Sequence, residues 1–302
     1  MVTNAVPGGA GQGVEFTDSF RAMDTEIDVT VMADRPPIEA FLSIRVLFEQ
    51  QEARFSRFRP GSLVSRLNRG EVVTDPWLAD ACQLAVAAHA ATGGLFNPLV
   101  LEALLAAGYD RTFAEVSGGM PVLAPAPDPA LAIAIEGETV RLSRGGLDLG
   151  GIVKGWTVDL AVELVARDVA GVLVNAGGDL RAAGSSDAGE GWYVEVDAPD
   201  GTIAWAGMLT GAVATSTTAK RRWRTDTGGV AHHLIDPRTG IPADTPFVQV
   251  SAWAAEARVA ETWAKAVLIG GDATATAASR AGVSILAFDS AGSRTAAGPA
   301  FA

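Results

Sequence analysis

The chain has 302 residues, of which 48% are hydrophobic and 19% charged, and its formal net charge is -12. This length and composition are typical of a soluble globular protein with a sizeable core, and they exclude a disordered or fibrous chain. The acidic balance argues against a general nucleic-acid or anionic-membrane surface, so clustered basic residues must have a local role. The single cysteine, Cys82, excludes an internal disulfide and a multi-cysteine metal site, and its apolar helical surroundings favour a core position.

The N-terminal residues 1–13 are small and rich in glycine, which predicts a disordered segment ahead of one folded domain over residues 14–302. They contain neither the basic stretch nor the apolar stretch of a secretory signal. No apolar run is long enough to cross a bilayer, so we expect no membrane span. The sequence as written therefore predicts a cytoplasmic protein, and export through a leader outside this sequence stays open.

The first third of the chain predicts one strand followed by helices. Residues 15–33 end in an alternation of polar and β-branched residues that is typical of a strand. Apolar residues recur at helical spacing over residues 38–55, which predicts an amphipathic helix. A second helix is predicted over residues 76–92, because two glycines that can cap it follow directly. Residues 101–108 predict a further short helix.

The rest of the chain predicts mostly short strands. Residues 118–130, rich in proline and glycine, are expected to form a surface connection, and residues 257–269 a helix. Strands are predicted within residues 131–142, 171–174, 192–197, 203–209, 212–223, 231–242 and 284–288. Because this mixture has no regular βαβ rhythm, it predicts an α+β fold: a single domain with a mixed, mostly antiparallel sheet and flanking helices.

Residues 147–159, LDLGGIVKGWTVD, place a carboxylate, a Gly-Gly turn and a lysine ahead of a helical pattern. The glycines of this stretch can take backbone angles that a side chain would forbid, and they let a ligand approach the main chain. Exposed N–H groups and Lys154 at the start of a helix suit a phosphate. The alternative is a tight turn between a strand and a helix, with Asp148 and Lys154 as solvated charges.

A cluster of basic residues occurs in this otherwise acidic chain. Residues 54–69 contain five arginines, interleaved with Phe55 and Phe58. Rings beside cations suit an aromatic, phosphorylated ligand. Arginines on an ordinary surface are the alternative interpretation.

Histidine is scarce, and the pair His232 and His233 beside Asp236 is the best candidate for a group that titrates in catalysis. The alternative is a structural histidine on a strand. The sequence lacks the fingerprints of the Rossmann and P-loop folds, the serine-hydrolase elbow and the HExxH helix. None of these common motifs therefore explains the pair.

Taken together, these loops resemble the ApbE family, the FAD:protein FMN transferases. Seven segments match family motifs in family order and span most of the chain, which makes the resemblance specific. They are Met23-Asp24-Thr25, the serine and Leu-Asn element at 56–68, TGGLFNPLV at 92–100, DLGGIVKG at 148–155, NAGGD at 175–179, VATS at 213–216 and HLIDPRTG at 233–240. The resemblance implies an ApbE-like domain over residues 14–302.

The resemblance also implies an activity: cleavage of the FAD pyrophosphate and attachment of FMN to a threonine hydroxyl of a target protein, with release of AMP and usually with Mg²⁺. It implies catalytic roles for Lys154 and for His233, which we expect to be the base for the incoming hydroxyl. The backbone carbonyl of Gly151 matches a metal-contacting position. The residues that would hold the flavin nucleotide are Met23, Phe58, Leu95, Phe96, Asn97, Asp148, Lys154, His233 and Ile235.

The sequence departs from the family at the metal site. Where the family places Asp and Thr one helical turn apart, facing Mg²⁺, residues 260–265 read AETWAK and offer Glu261 and Lys265. A carboxylate suits Mg²⁺, whereas an ammonium has no lone pair to give. Either Lys265 stands near or in place of the ion and neutralises phosphate, or the two residues form an ordinary i,i+4 helix pair.

Two smaller departures, Asn97 for Asp and Asp24 for Gly, alter the charge around the nucleotide. The changes leave FAD binding as the expectation and Mg²⁺-dependent transfer as one of three outcomes. The second is hydrolysis of FAD to FMN and AMP, with water replacing the protein hydroxyl. The third is FAD binding without catalysis.

Overall fold

The computed structural model describes residues 13–111, 116, 118–226 and 228–301. Apart from Gly13, the segment predicted to be disordered lies outside these residues. None of the helices in the described part of the chain combines the length and hydropathy needed to cross a membrane. The helices are α1 (Ile38–Phe55), α2 (Leu63–Asn68), α3 (Pro76–Ala91), α4 (Leu101–Ala106), α5 (Pro129–Ala132), α6 (Val153–Val165), α7 (Ala257–Gly270) and α8 (Asp272–Arg280).

The strands are numerous and mostly short, as the sequence predicts. In chain order they are β1 (Val14–Ala22), β2 (Thr25–Ala33), β3 (Val73–Thr74), β4 (Ile133–Glu136), β5 (Thr139–Leu142), β6 (Gly171–Ala176), β7 (Asp179–Ser186), β8 (Gly189–Glu190), β9 (Trp192–Asp197), β10 (Ile203–Leu209), β11 (Gly211–Thr217), β12 (Arg222–Arg224), β13 (Val230–His232), β14 (Ile235–Asp236), β15 (Ile241–Pro242), β16 (Phe247–Ala254), β17 (Ser284–Asp289) and β18 (Arg294–Ala297).

One nine-stranded sheet organises the molecule. Its order is β1-β2-β6-β7-β11-β16-β17-β18, with β8 paired to β7. Neighbouring strands in this order run antiparallel. The predicted α+β fold with a mostly antiparallel sheet is therefore confirmed.

The two faces of the sheet are covered by different elements. Along β11, Ala212 and Ala214 belong to cores that α6 and α7 complete, whereas Val213 packs with Trp192 of β9 and Trp253 of β16. This alternation follows from the two-residue period of a strand. The small residues on the helical face let α6 and α7 lie close to the sheet.

A separate core forms at one side of the sheet. Helix α3 packs there with the small sheet β3-β5-β4, and the core reaches Phe96, Leu149 and Trp156. Met23, in the turn between β1 and β2, contacts both this core and the core of the main sheet. The turn joins the sheet to the loops that follow α1 and α3, which carry four of the residues assigned to the nucleotide: Phe58, Leu95, Phe96 and Asn97.

Candidate active site

The elements of these cores surround a cavity of about 670 Å³. This volume is within the usual range for a small-molecule site. The walls come from the β1–β2 turn, the end of α1, the loop after α3, the start of α6, the segment after β13, and α7. Among the lining residues are all those that the sequence assigned to the nucleotide: Met23, Phe58, Leu95, Phe96, Asn97, Asp148, Lys154, His233 and Ile235.

The turn that carries Met23 has an unusual backbone. Met23 and Asp24 have φ angles of 51° and 58°, in the left-handed region that two-residue hairpin turns require. Aspartate is one of the few residues other than glycine that tolerate this region, so Asp24 can replace a glycine here. Glu52 of α1 accepts a hydrogen bond from Met23 N at 3.0 Å. The turn is thereby fixed against α1, and Met23 is held at the cavity wall.

Asp148 is part of a buried ion pair. Its Oδ2 lies 2.9 Å from Arg57 Nε, and its Oδ1 accepts a hydrogen bond from Gly150 N at 2.7 Å. The Arg57 and Asp148 side chains are only 8% and 15% exposed. Asp148 is therefore a fixed group of the cavity wall, and the alternative of a solvated charge is wrong.

Two members of the basic cluster contact aromatic rings: Arg54 lies over Trp77, and Arg57, which lines the cavity, contacts two rings. The Arg57 guanidinium lies 4.1 Å from the centre of the Phe58 ring and 4.6 Å from that of Tyr109. It also donates a hydrogen bond to the Tyr109 carbonyl oxygen at 2.8 Å. The sequence identified the cluster but gave no reason to choose Arg57, because its partners Tyr109 and Asp148 are remote along the chain.

Lys154 lies in the first turn of α6 and reaches the second glycine-rich loop. Its Nζ donates a hydrogen bond to the Ala176 carbonyl oxygen at 3.0 Å and forms an ion pair with Asp179. Burial lowers the pKa of Lys154, and the nearby Glu261 carboxylate partly opposes this effect. Lys154 lines the cavity whereas Asp179 does not. The ion pair and the hydrogen bond hold the lysine in place at the cavity wall, so the alternative interpretation of a solvated charge is wrong.

The glycines around Lys154 act through close packing. Gly150, Gly151 and Gly155 are not among the glycines with positive φ, so they do not use the left-handed backbone angles that glycine allows. A Cβ at Gly151 would lie 3.0 Å from the Phe96 ring, and a Cβ at Gly155 would lie 2.8 Å from the Ala257 main chain. Gly155 therefore permits the approach of α7 and not the approach of a ligand.

The two adjacent histidines have different roles. His232 is buried, its Nδ1 accepts a hydrogen bond from Leu234 N at 3.3 Å, and its Nε2 lies 3.1 Å from the Ala243 carbonyl oxygen. Since Nδ1 accepts, Nε2 carries the proton and donates it to that oxygen. His232 is the structural histidine of the alternative interpretation.

His233, in contrast, lines the cavity. Its Nδ1 is buried and has no hydrogen-bond partner among the described residues. Burial lowers the pKa of His233 to about 3, and the positive charges of Arg221 and Lys265 act in the same direction. The imidazole is therefore neutral at neutral pH, and a neutral ring has one nitrogen that can accept a proton.

Asn97 and Phe96 shape the cavity wall in different ways. The Asn97 side chain accepts a hydrogen bond from Leu99 N at 2.8 Å and donates one to the Pro127 carbonyl oxygen at 3.0 Å. These bonds fix the loop that carries Phe96, whose side chain is buried. Asn97 thus holds the wall in place through the main chain.

Glu261 and Lys265, the residues at the expected metal position, bind each other. Glu261 Oε1 lies 2.9 Å from Lys265 Nζ, and Oε2 accepts a hydrogen bond from Gly155 N at 2.9 Å. The Glu261 side chain is 1% exposed and does not line the cavity, whereas Gly151 and Lys265 do.

These residues do not fit a magnesium site. The ammonium holds one of the carboxylate oxygens that Mg²⁺ would need, and it offers no lone pair of its own. Within the described residues, no group of three or more His, Cys, Asp or Glu side chains could hold a metal ion. The predicted metal ligands Gly151 and Glu261 are therefore not assembled as a metal site.

Gln51 is a cavity residue that the sequence did not indicate. It lies in α1 and lines the cavity, its side chain is completely buried, and neither of its polar atoms has a partner among the described residues. Buried amides are normally hydrogen-bonded, so such a residue marks a site for a ligand or water. Its neighbours in the sequence are polar, but Gln51 lies three residues after Phe48 and four before Phe55, so helical spacing places it on the buried face of α1.

Comparison with known proteins agrees with the fold. The family model of ApbE matches residues 23–287. The chain therefore belongs to the ApbE family.

Its relatives include proteins named FAD:protein FMN transferase. The protein of Treponema pallidum (strain Nichols) is 30% identical over 304 residues, which cover 87% of this chain and 80% of that protein. The protein of Vibrio cholerae is 28% identical over 146 residues, or 46% of this chain and 44% of that protein.

Solved structures show the same fold. The ApbE protein of Thermotoga maritima has a TM-score of 0.85 and 24% identity, covering 94% of this chain and 97% of that chain. The flavinyl transferase ApbE of Pseudomonas stutzeri, in its apo form, has a TM-score of 0.81 and 20% identity, covering 96% of each chain. The predicted ApbE-like fold is confirmed.

Proposed function

We propose that this protein is a transferase that cleaves the pyrophosphate of FAD and attaches FMN to a threonine hydroxyl of a partner protein, releasing AMP. The observation that carries the proposal is the convergence of aromatic side chains, fixed cations and the neutral His233 imidazole on one cavity. The relatives named FAD:protein FMN transferase support the same reaction.

The cavity lining supplies both apolar side chains and cations, the two kinds of group that such a substrate needs. We assign the flavin ring to the apolar part of the wall, formed by Met23, Phe58, Leu95, Phe96 and Ile235. Aromatic and aliphatic side chains stabilise a planar ring through burial and stacking. The charged pyrophosphate is assigned to the part that carries the cations.

The chemistry requires an in-line exchange at phosphorus. The threonine oxygen forms a bond to the phosphorus of the FMN half, the bond from that phosphorus to the AMP oxygen breaks, and AMP leaves with the electron pair. His233 accepts the proton of the attacking hydroxyl, while Lys154 stabilises negative charge on the phosphate oxygens. The negative pyrophosphate raises the pKa of His233 when it binds, because it stabilises the imidazolium.

Mg²⁺ has no step in this mechanism. The family resemblance implies the ion, yet Glu261 and Lys265 do not form a site that fits it. The charge at the pyrophosphate is therefore assigned to this chain's own cations, which line the cavity.

The test is AMP release from FAD in the presence of a partner domain with a candidate acceptor threonine, followed by mass spectrometry of that partner. We expect AMP and a partner that has gained the mass of FMN. His233→Ala should abolish transfer, and its melting temperature, compared with that of the parent protein, controls for folding. AMP with free FMN and an unmodified partner would instead show a hydrolase.

The acceptor and the cellular location are also tested separately. Replacing the candidate threonine of the partner by valine should prevent its modification if the hydroxyl is the acceptor. The cytoplasmic location expected from the sequence stays a prediction, and fractionation of cells that produce the full-length protein would check it.

A further inference from the structure

Lys265 is a positioned cation at the cavity. Its Nζ lies 2.9 Å from Glu261 Oε1, one helical turn earlier on α7. Its side chain passes Gly151 so closely that a Cβ there would lie 3.4 Å from both its Cδ and its Cε atoms. The ammonium is thus held between a buried carboxylate and the glycine loop that begins α6.

Glu261 is itself fixed, so the pair cannot easily be rearranged. Its second oxygen accepts the hydrogen bond from Gly155 N, which joins α7 to the first turn of α6. Removing one member of a buried ion pair leaves an uncompensated charge, which is strongly unfavourable. A divalent cation could reach Glu261 only by displacing the ammonium and leaving it without its partner.

The charge of Lys265 acts on the two proposed catalytic residues, His233 and Lys154. It is among the causes that lower the pKa values of His233 and of Lys154, which places its field at both groups. Lys265 lines the cavity, whereas the carboxylate that holds it does not. The pair therefore presents a positive charge to the ligand and keeps its negative charge in the protein interior.

We propose that the Lys265 ammonium takes the place of the divalent cation in this protein, so that FAD binding and AMP release do not require Mg²⁺. The inference rests on the proposed function for its catalytic part, and FAD binding tests it independently. Its ligand is the pyrophosphate of FAD, whose negative charge suits the cations Lys154, Arg221 and Lys265, which all line the cavity.

The first experiment measures FAD affinity from flavin fluorescence, together with AMP release, in EDTA and in Mg²⁺. We expect the same affinity and the same rate in both. A parent protein that binds FAD, or releases AMP, only when Mg²⁺ is present would overturn the inference.

A series of variants tests whether the positive charge of Lys265 is responsible for the FAD affinity. Lys265→Met should weaken FAD binding by roughly tenfold or more, since it removes a charge-assisted contact. Binding of riboflavin, which has no phosphate, should not change. Lys265→Arg should restore most of the FAD affinity. The matched control is Lys220→Met, because Lys220 is exposed and does not line the cavity.

A second variant protects the test against misfolding. In Glu261→Gln/Lys265→Met the buried pair is removed as a whole, so no unpaired charge remains, and glutamine can still accept the hydrogen bond from Gly155. It should fold and show the same loss of FAD affinity. If this variant binds FAD as tightly as Lys220→Met, the inference is wrong.

The converse variant, Glu261→Asp/Lys265→Thr, supplies two oxygen ligands in place of the ion pair. Titration with Mg²⁺ should then increase its FAD affinity, whereas the parent protein should show no response. An equal absence of response in both proteins would contradict a metal position at Lys265.

The outcomes separate this inference from the proposed function. Binding of FAD that is independent of Mg²⁺ and lost in Lys265→Met, without any AMP release, supports the inference and contradicts the transferase. Flavin transfer that strictly requires Mg²⁺ supports the transferase and contradicts the inference.

Discussion

Two buried ion pairs at the cavity differ in the charge that they present. At Arg57–Asp148 both side chains line the cavity, so the pair is neutral from the ligand's side. At Lys265–Glu261 only the lysine lines it, and the carboxylate stays inside the protein. The first pair therefore builds the wall beneath the aromatic rings, whereas the second creates a positive region without losing a buried counter-charge.

Lys154 follows the second pattern, since its partner Asp179 also lies outside the cavity lining. A carboxylate behind each lysine fixes the position of the ammonium and offsets the cost of burying it. The comparison supports the proposed assignment of the phosphates to this part of the cavity, because Lys154 and Lys265 pair there with carboxylates that do not line it.

Breaking the neutral pair should have the largest effect on stability. Asp148→Ala leaves the buried Arg57 guanidinium without its partner, so the free energy of unfolding should fall by about 3–5 kcal/mol, as measured by urea denaturation. The control is Asp110→Ala, whose pair with Arg111 is exposed and should contribute little. Equal stability of the two variants would show that the Arg57 pair does not hold the wall.

The positive region depends on the close approach of α6 and α7. In Gly155→Ala the new Cβ would lie 2.8 Å from the Ala257 main chain, so we expect a loss of about 1–3 kcal/mol in unfolding free energy. It should also weaken FAD binding, because Lys154 and Lys265 would separate. Gly61→Ala is the matched control, since a Cβ there has open space. Thermal unfolding that is unchanged in Gly155→Ala would contradict this packing.

Gln51 differs from both ion pairs, because its buried side-chain amide lines the cavity without a partner among the described residues. Gln51→Met removes polar atoms that have no partner among the described residues, so the unfolding free energy should rise by about 1 kcal/mol. FAD affinity, measured by fluorescence, should fall if the amide binds the nucleotide. A variant with lower stability and normal FAD affinity would show that Gln51 has structural partners instead.

Near neutral pH, replacing His233 should change the unfolding free energy less than any of the other substitutions. Its pKa is about 3 in the folded protein and 6.5 is its ordinary value, so between these pH values the unfolded chain binds a proton that the folded chain does not. Stability should therefore fall as the pH is lowered from about 6.5 towards 3, and His233→Gln should weaken this dependence. Denaturation at several pH values measures it.

FAD should reduce the same dependence, because bound pyrophosphate raises the pKa of His233 and brings it closer to the unfolded value. Stability measured at saturating FAD should thus change less with pH than in the free protein. An identical pH dependence with and without FAD would place the phosphates away from His233.

The secondary structure was predictable where periodicity was strong. The helices α1, α3 and α7 begin where the sequence predicts and end within a residue or two of it, and β9 and β10 agree fully. Strand β16 was missed, although it lies near the middle of the sheet order. It is buried on both faces and contains small residues, so it lacks the alternation that identifies a half-exposed strand. Helix α8 was missed because it is short and rich in alanine and threonine.

The sequence predicted which residues form the site, but it did not predict which of them contact one another. Family motifs located every residue assigned to the nucleotide, and the structure brings those residues to one cavity. The motifs selected His233 rather than His232, but they did not select Arg57 among five arginines. Gln51 was overlooked because its side chain is polar, although its spacing from Phe48 and Phe55 places it on the buried face of α1.

The sequence by itself determined the α+β class, the family and the residue types available for binding and proton transfer, because these follow from local periodicity and from motifs within short segments. Only the tertiary structure decided which charges are paired and which of them face the ligand. Gly155 and Glu261, for example, are 106 residues apart and share a hydrogen bond. Such contacts arise when remote helices pack together, and the same packing sets the burial that controls each charge.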